Sequence, residues 1–339
     1  MRQRQRLEAA LAALRGRRAL LVGDFVLDAY VYGETVRVSR EAPVLVVRRE
    51  RSEHRLGGAA NTAVNLAALG VQTRALGVLG RDEAGDRLGQ LLHKNGVDVS
   101  ALRYIERTTP VKTRILAGAF GTSRQQVLRL DDQPTAPVDD LTCARVAEDL
   151  RRLAATADVV VVSDYGLGSV VGAVIEAAGQ AAAAGTFVCV DSRFQLRAFR
   201  GVSAVTPNAP EAAAAVGVDV VDRESAVRAG ALILQRLGCE ACLLTQGRHG
   251  MSLLRRNALP IHADIVGDEE VTDVTGAGDT VIAAFASAAV SGLGLVNAMR
   301  LANCAAGVVV QRAGTAAVSP DDICDAALAG RVELEPWPA

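Results

Sequence analysis

Short apolar runs alternate with segments of helical spacing through most of this 339-residue chain, and this alternation constrains its fold more than any other feature. Strands that are joined through helices run parallel and are covered by helices on both faces. The pattern therefore predicts an α/β fold with three layers, α/β/α, around a mostly parallel central sheet. The predicted strands are ALLVGD (19–24), TRALGVLG (73–80), DVVVVSD (158–164), TFVCVD (186–191), SAVTPN (203–208) and ACLLTQG (241–247), and the predicted helices are 59–69, 83–95, 139–155, 168–184 and 222–237.

Two strand-rich segments, at about 30–56 and 102–130, interrupt this alternation. Both have the alternating apolar and polar residues of antiparallel strands, and the second has a glycine-containing turn at 118–121. We expect them to form a small β-sheet lid over the C-terminal edge of the main sheet. Without repeats or a linker, the chain is expected to be one domain over 1–339.

Composition and charge exclude several classes of function. The net charge of −1 and the 3% aromatic content argue against nucleic-acid binding, and no apolar run has the ~20 residues that span a bilayer. The four histidines form no spaced cluster, so zinc chemistry and a Ser-His-Asp triad have little support. The basic N-terminus is interpreted as a short amphipathic helix rather than a signal peptide. Of the six cysteines only Cys239 and Cys242 are close in sequence. A redox or metal role for this CxxC pair is an alternative, but no second pair completes a zinc site, so buried structural thiols in a reducing cytoplasm are expected.

The motif that points most directly to chemistry is VTDVTGAGDTVIAAFASAAV, residues 271–290. Gly276, Ala277 and Gly278 open an apolar helix whose first N–H groups have no partner within the helix, which creates an anion site for a migrating phosphoryl group. Asp279 in that positive field would accept a proton from an attacking hydroxyl. An ordinary N-cap explains Thr275 or Asp279, but not two glycines that each cost about 1 kcal/mol in a first turn.

Four motifs together resemble the PfkB, or ribokinase-like, carbohydrate kinases. They occur in the family's order and span nearly the whole chain, which makes the combination much more specific than any one of them. They are GGAANTAVNLAALG (57–70), TPNAPEA (206–212), TQGRHG (245–250) and DVTGAGDT (273–280, within the motif above). The resemblance implies ATP as phosphoryl donor, Mg²⁺ as cofactor, Asp279 as general base and 276–278 as the anion hole.

Further segments resemble the branch that phosphorylates heptose 7-phosphate for lipopolysaccharide precursor synthesis. These are the compact GGAAN, GDFVLDAYVYGETVRVSREAPVLVV, SDYGLG, VDSR and AAGVVVQRAGTAAVSP. In that branch the γ-phosphate of ATP is transferred to the anomeric hydroxyl of D-glycero-β-D-manno-heptose 7-phosphate. Some relatives carry a fused adenylyltransferase domain, and the last residues, ELEPWPA, lead us to expect none here.

The resemblance also implies roles for individual residues. The sugar would be bound by Asp28, Gly57, Gly58, Asn61 and Asp164, and ATP by Asn208, Thr245, Gly247, Gly250 and Asn303. Magnesium would be held by Asn208 and Glu211. Without the family match, Asp28 could equally be a turn residue, and PNAPEA could simply start a helix. The family implies a homodimer through the lid strands, while a potassium ion beside Asp273 and Thr275 is left undecided.

A sugar that already carries a phosphate requires a second anion site. Lys112 and Arg114 stand two apart on a predicted strand and should face the same way, and Arg193 occupies the place of a lysine in the heptose kinases. We predict that these three bind the phosphate, although exposed arginines are common. Leu167 departs from the lysine that is usual in SDYGKG, which puts either the phosphate site or the substrate in question.

Two other interpretations compete with the kinase. Gly166, Gly168 and Gly172, followed by Asp191 after about 20 residues, resemble a dinucleotide-binding fingerprint, but this assignment gives 271–280 no role. A P-loop is excluded because neither lysine lies in its motif. A non-catalytic sugar or nucleotide sensor on the same fold would be expected to lose Asp279 or its glycines, so retention of all of them favours an enzyme.

Overall fold

The computed structural model describes residues 2–118, 124–267, 272–312 and 314–337. Its larger sheet has nine strands, all parallel except for the antiparallel pairings of β12 with both of its neighbours. In spatial order these are β13 (Ile261–Ala263), β12 (Met251–Arg255), β11 (Ala241–Thr245), β10 (Ala204–Val205), β9 (Phe187–Ser192), β8 (Val159–Asp164), β1 (Arg18–Gly23), β4 (Gln72–Gly80) and β5 (Asp98–Ile105).

Helices cover both faces of this sheet, as the sequence predicts. Along β1, Ala19 and Leu21 contribute to one core while Leu20 and Val22 contribute to the other, because successive side chains point to opposite faces. The first face carries α1 (Arg2–Ala12), α2 (Ala59–Ala68), α3 (Glu83–Lys94), α8 (Ala277–Ala289), α9 (Gly294–Val309) and α10 (Pro320–Ala329). The second carries α4 (Asp140–Ala154), α5 (Gly172–Ala183), α6 (Ala209–Val216) and α7 (Arg223–Leu237).

The smaller sheet has four strands, in the order β3 (Leu45–Gly58), β2 (Phe25–Val38), β6 (Val111–Gly118) and β7 (Gln125–Asp132). Strand β2 is antiparallel to β3 and parallel to β6, and β7 returns antiparallel to β6. Strand β2 follows β1 after the single residue Asp24. The small sheet therefore starts directly at the C-terminal end of a central strand of the main sheet.

Three boundaries differ from the sequence prediction. Residues 102–105, expected in the lid, belong to β5, which pairs with β4 at the edge of the main sheet. Strand β10 contains only Ala204 and Val205, since Pro207 has no N–H for a ladder. Helix α5 begins at Gly172 rather than 168, because residues 165–169 form a loop whose N–H groups donate to the carboxylate of Asp24. The glycine turn predicted at 118–121 lies outside the described residues beyond Gly118.

Among the described helices, none combines the length and the apolar character that crossing a bilayer requires.

Candidate active site

The N-terminus of α8 is built by a glycine loop, as the sequence predicts. Gly276 has a φ of 81°, in the left-handed region that favours glycine, and α8 begins at Ala277. A Cβ at Gly276 would lie 2.5 Å from Nδ2 of Asn61. The loop can therefore approach α2 only because residue 276 has no side chain. Gly278, in the first turn, lies open to the cavity described below.

The carboxylate of Asp279 is buried and held by three donors from two other elements. Its Oδ2 accepts a hydrogen bond of 2.9 Å from Nδ2 of Asn61, and its Oδ1 accepts bonds from Oγ1 of Thr62 at 3.1 Å and Oη of Tyr165 at 2.9 Å. Only 2% of its surface is exposed. Three donors around one carboxylate fix its rotamer and its direction toward the cavity.

Burial raises the pKa of Asp279 to about 6, and the three hydrogen bonds oppose this rise. The negative charge of Asp28 adds a smaller upward contribution. A carboxylate with a pKa near 6 is ionised at neutral pH and is a better proton acceptor than an ordinary aspartate. The electrostatics therefore suit Asp279 to the role of general base.

Asp279 lies in a cavity of about 410 Å³ between the two sheets, and most of the predicted sugar-site residues line it. Asp28, Gly58, Asp164 and Gly278 all face this space, together with the three predicted cations. Gly57 is not among the lining residues, but a Cβ there would lie 2.7 Å from the Asp28 carboxylate. Gly57 thus makes room for Asp28 on the neighbouring strand of the small sheet.

Four cationic side chains converge on this cavity: Lys112 and Arg114 from β6, Arg129 from β7 and Arg193 from the loop after β9. Arg114 donates to Oδ1 of Asp28 at 2.8 Å. Burial lowers the pKa of Lys112, and the positive charges of Arg193, Arg129 and Arg114 lower it further while Asp28 raises it. Lys112 thus lies among three other positive charges, and an anion bound there would relieve their mutual repulsion.

Asn61 was predicted to bind the sugar, but its amide is engaged elsewhere. Its Nδ2 donates to Asp279 and its Oδ1 accepts from Nδ2 of Asn65 at 3.3 Å, with 3% of the residue exposed. Its position on α2, directly after the glycines of β3, brings it against α8 instead of into the cavity. Asn61 therefore acts on the carboxylate of Asp279.

Asp164 lines the cavity but also closes a local network. Its Oδ2 accepts from Oγ of Ser192 at 2.6 Å and from Gln195, and its Oδ1 accepts from the N–H of Gly166. Burial raises the pKa of Asp164.

Leu167 does not line this cavity. Its carbonyl accepts a hydrogen bond from Arg107 at 2.7 Å. The substitution at Leu167 thus lies away from the four cations.

The predicted magnesium ligands, Asn208 and Glu211, form a capping box at the start of α6. Oδ1 of Asn208 accepts from the N–H of Glu211 at 2.9 Å, and Oε2 of Glu211 accepts from the N–H of Asn208 at 3.0 Å. Both residues also line the cavity, beside Asp191. Burial and the charges of Glu211 and Asp279 raise the pKa of Asp191 well above its usual range.

Carboxylates that face one another in this way suit a divalent cation, since Mg²⁺ prefers oxygen ligands and keeps several waters. Among the described residues no group of three acidic, His or Cys side chains forms a metal cage of its own. The donor set fits an ion that is bound by one or two carboxylates together with substrate phosphates.

A second cavity, of about 570 Å³, adjoins the first and shares Thr245, Val274 and Gly278 with it. It is lined by the predicted nucleotide residues Gly247, Gly250 and Asn303 and by apolar residues of α8 and α9. Nδ2 of Asn303 donates to the carbonyl of Asp264 at 2.6 Å. Two cavities thus meet at the N-terminus of α8, one cationic and one partly apolar.

Residues 18–322 match the model of the pfkB family carbohydrate kinases. The chain belongs to the PfkB family.

Curated relatives of this PfkB chain carry the name "Bifunctional protein HldE". Those from Pelobacter propionicus, Pseudomonas aeruginosa and Methylococcus capsulatus are 38%, 42% and 43% identical to it over 95%, 90% and 90% of its length. The matches cover 66%, 62% and 63% of the relatives, so the chain spans a little under two thirds of their length.

Solved structures share the fold at lower identity. Phosphofructokinase-2 from Escherichia coli, in complex with substrates and products, aligns with a TM-score of 0.78 and 20% identity over 93% of this chain and 99% of its own. Ribokinase from Arabidopsis thaliana, complexed with ribose and ATP, aligns with a TM-score of 0.71 and 22% identity over 91% and 98%. The ribokinase-like fold predicted from the sequence is confirmed.

Sequence reasoning missed three residues of this PfkB site. Arg129 was overlooked because only the pairing of β7 with β6 brings it to the cavity. Tyr165 stands 114 positions from Asp279, and Asp24 holds the loop that carries Tyr165. The tyrosine of SDYGLG is the sequence signal from which Tyr165 could have been found.

Asp273 and Thr275, the predicted neighbours of a potassium ion, form a turn. Asp273 accepts hydrogen bonds there from the N–H groups of Thr275 and Gly314.

Proposed function

We propose that this chain is an ATP-dependent kinase that phosphorylates the anomeric hydroxyl of D-glycero-β-D-manno-heptose 7-phosphate. The observation that carries the proposal is the cavity in which four cations face the same space as the buried carboxylate of Asp279. A sugar phosphate has the two features that such a cavity would recognise, an anion for the cations and a hydroxyl for the base.

In the proposed reaction the sugar hydroxyl attacks the γ-phosphorus of ATP from the cationic cavity. Asp279 takes the hydroxyl proton as the new P–O bond forms, and the bond between the γ-phosphorus and the β,γ-bridging oxygen breaks to release ADP. The free N–H groups at the start of α8 would stabilise the charge on the transferred phosphoryl group. ATP would lie in the second cavity, near Thr245, Gly247, Gly250 and Asn303, so that its γ-phosphate reaches Gly278.

Asp191 and Glu211 are the residues that would hold Mg²⁺, with Asn208 nearby. When bound, the ion would neutralise charge on the ATP phosphates. The raised pKa of both carboxyl groups, due mainly to burial, supports this assignment because a cation would relieve their repulsion. Among the predicted ligands, Glu211 still has one carboxylate oxygen outside the capping box.

The choice of heptose 7-phosphate is supported by the sequence segments shared with that branch and by relatives about 40% identical over most of this chain. Arg193 supports it further, because an arginine at a lysine position can bind phosphate with two parallel hydrogen bonds. Leu167 does not line the cavity and so leaves these contacts intact.

We further propose a cytoplasmic homodimer. The cysteines of the described chain are all buried and unpaired, which suits a reducing compartment. The small sheet exposes apolar residues that a second copy could cover, among them Val38, Leu45, Val127, Leu128 and Leu130. Pairing of the small sheets would bury this surface.

The test is a substrate panel with ATP and magnesium, in which ADP release is followed and the product is identified by ³¹P NMR. The panel contains heptose 7-phosphate, unphosphorylated heptose, fructose 6-phosphate and ribose. We expect turnover on heptose 7-phosphate to exceed that on unphosphorylated heptose by at least ~10²-fold, the contribution of about two charged hydrogen bonds. Asp279→Asn serves as the inactive control.

Equal turnover on heptose with and without its phosphate would show that the four cations do not bind the acceptor. A preference for fructose 6-phosphate would retain the sugar-phosphate kinase and discard the heptose assignment. No ADP release with any sugar would discard the catalytic proposal and favour a sensor on the same fold.

A further inference from the structure

Tyr165 connects the base to the cationic part of the cavity. Its hydroxyl donates to Oδ1 of Asp279 at 2.9 Å. Nζ of Lys112 lies 5.1 Å and Cζ of Arg193 lies 4.9 Å from the centre of its ring, both within the range of cation–π attraction. One side chain thus contacts the proton acceptor at its polar end and two phosphate-site cations at its aromatic ring.

The loop that presents Tyr165 is held by a buried carboxylate beneath it. Oδ2 of Asp24 accepts from the N–H groups of Tyr165 and Leu167, and its Oδ1 accepts from the N–H of Ser169, each at 2.9 Å. Asp24 is 1% exposed and lies between β1 and β2, at the junction of the two sheets. Arg107 also binds this loop, by donating to the carbonyl of Leu167.

Tyr165 can act only as a donor to Asp279. Burial and the negative charge of Asp279 raise the pKa of its phenol well above the ordinary value, so the hydroxyl keeps its proton at neutral pH. Asp279, once ionised, is the acceptor. The bond therefore stabilises the carboxylate form of Asp279 and is lost, or must rearrange, when Asp279 takes the proton.

We infer that Tyr165, supported by Asp24, is a positioning residue: it orients Asp279 through its hydroxyl and orders Lys112 and Arg193 through its ring. This inference rests on the proposed kinase reaction for its kinetic consequences but not for its structural ones. It predicts that the two halves of the tyrosine can be separated by substitution, since phenylalanine removes the hydroxyl alone and leucine removes the ring as well.

Several charged groups surround the pair and will also influence its titration. They approach from the small sheet, from β9 and its following loop and from the start of α6, and they are Asp28, Lys112, Asp191, Arg193 and Glu211. A test must therefore isolate Asp279 from these neighbours, and Asp279→Asn provides that comparison.

The first experiment needs no substrate. The full chain is labelled with ¹³C at Cζ of its four tyrosines, and the Tyr165 signal is assigned by its absence from Tyr165→Phe. We expect this signal to shift with pH around a midpoint of about 6, because ionisation of Asp279 polarises the phenol. In Asp279→Asn the shift should disappear. A Tyr165 signal that does not titrate in the wild type, or that titrates equally in Asp279→Asn, would overturn the inference whether or not heptose phosphate is the acceptor.

The second experiment uses whichever sugar phosphate the wild type phosphorylates. In Tyr165→Phe we expect the acid limb of kcat/KM to move up by about one pH unit, because one donor to the carboxylate is lost, with KM for the sugar phosphate nearly unchanged. Tyr165→Leu should show the same pH shift and also raise KM by roughly 3- to 30-fold. Thr62→Val removes the other donor to Oδ1 but leaves the ring, so it should shift the pH profile only.

Unchanged pH profiles in both Tyr165 variants would show that the hydroxyl does not act on the base. Equal KM values for Tyr165→Phe and Tyr165→Leu would show that the ring does not order the cations.

Discussion

Arg114 on β6 lies directly opposite Arg129 on β7, and both side chains line the cavity that contains Asp279. Like charges at directly opposed positions of an antiparallel pair destabilise a sheet. Arg114 is paired with Asp28, and Arg129 with Asp131 on its own strand through bonds of 2.6 Å. An arrangement that costs stability in the free protein is expected where a bound anion can repay that cost.

Arg129→Gln should weaken binding of the sugar phosphate without removing the base. We expect KM for the phosphorylated sugar to rise by about 10- to 100-fold, the effect of one charged hydrogen bond, with kcat changed much less. The melting temperature should not fall, since a repulsion is removed. Arg124→Gln, directly before β7 and outside the cavity, is the matched control. Equal KM values for the two variants would contradict the role of Arg129.

Asp279→Asn should fold normally and lose kcat by ~10²-fold or more, as expected when a general base is removed. Asparagine keeps the shape of the side chain but cannot accept the proton of the sugar hydroxyl. Steady-state kinetics and circular dichroism measure the two quantities. Asp321→Asn, at an exposed position of α10, is the control for loss of an aspartate. A variant with near-normal turnover would remove Asp279 from the mechanism.

The same substitution should change how stability depends on pH. Burial raises the pKa of Asp279 from 3.8 to about 6. The folded state therefore binds this proton more tightly than the unfolded state, and the resulting stability is present below about pH 4 and lost as the pH rises through about 6. The wild type should lose about 3 kcal/mol of unfolding free energy between about pH 4 and 8 through this group, and Asp279→Asn should not. Urea unfolding at several pH values measures the two unfolding free energies. A difference between them that stays constant with pH would contradict the prediction.

Gly276→Ala should lose activity because a methyl group would displace Asn61 from Asp279. The ideal Cβ lies 2.5 Å from Nδ2 of Asn61. Gly292→Ala is a matched control, since its φ of 82° is nearly the same and its Cβ would meet no atom within 4 Å. Both variants should lose about 1 kcal/mol from backbone strain, but only Gly276→Ala should lose kcat, by ~10-fold or more. Comparable kcat values in the two variants would show that the contact with Asn61 is not critical.

Leu128→Asp should convert the proposed dimer into a monomer. Leu128 is 49% exposed on β7, where a charge would be buried at the interface of two small sheets. Light scattering coupled to gel filtration gives the mass directly. Leu259→Asp, at a loop position that is 84% exposed, controls for the added charge. If the wild type is itself a monomer at micromolar concentration, the proposal of pairing through the small sheet is wrong.

The sequence predicts the parts of this molecule that depend on local rules. The strands of the main sheet follow from runs such as the buried valines of β8, and the start of α8 follows from two glycines beside Asp279. These signals are strong because backbone conformation and burial at each position depend mainly on a few neighbouring residues.

The contacts that complete the site could not be predicted from sequence spacing. Arg129 reaches the cavity only through the register of β7 with β6. Asn61 has a side chain equally suited to a sugar hydroxyl and to a carboxylate, and only the approach of α8 to α2 decides between them. The role of Asp24 is not evident from its neighbours in sequence, because its partners are backbone N–H groups more than 140 positions away.

The two cavities share only Thr245, Val274 and Gly278, while the walls that distinguish them come from different regions of the chain. The cations of one wall stand on the small sheet and on a single loop, whereas the other wall belongs mainly to α8, α9 and residues 247–251 after β11. With the acceptor and the donor assigned to these cavities as proposed, their selectivities are physically modular. Evolution, or an engineer, could then exchange the residues of the small sheet to accept a new sugar while the proposed nucleotide half is inherited unchanged.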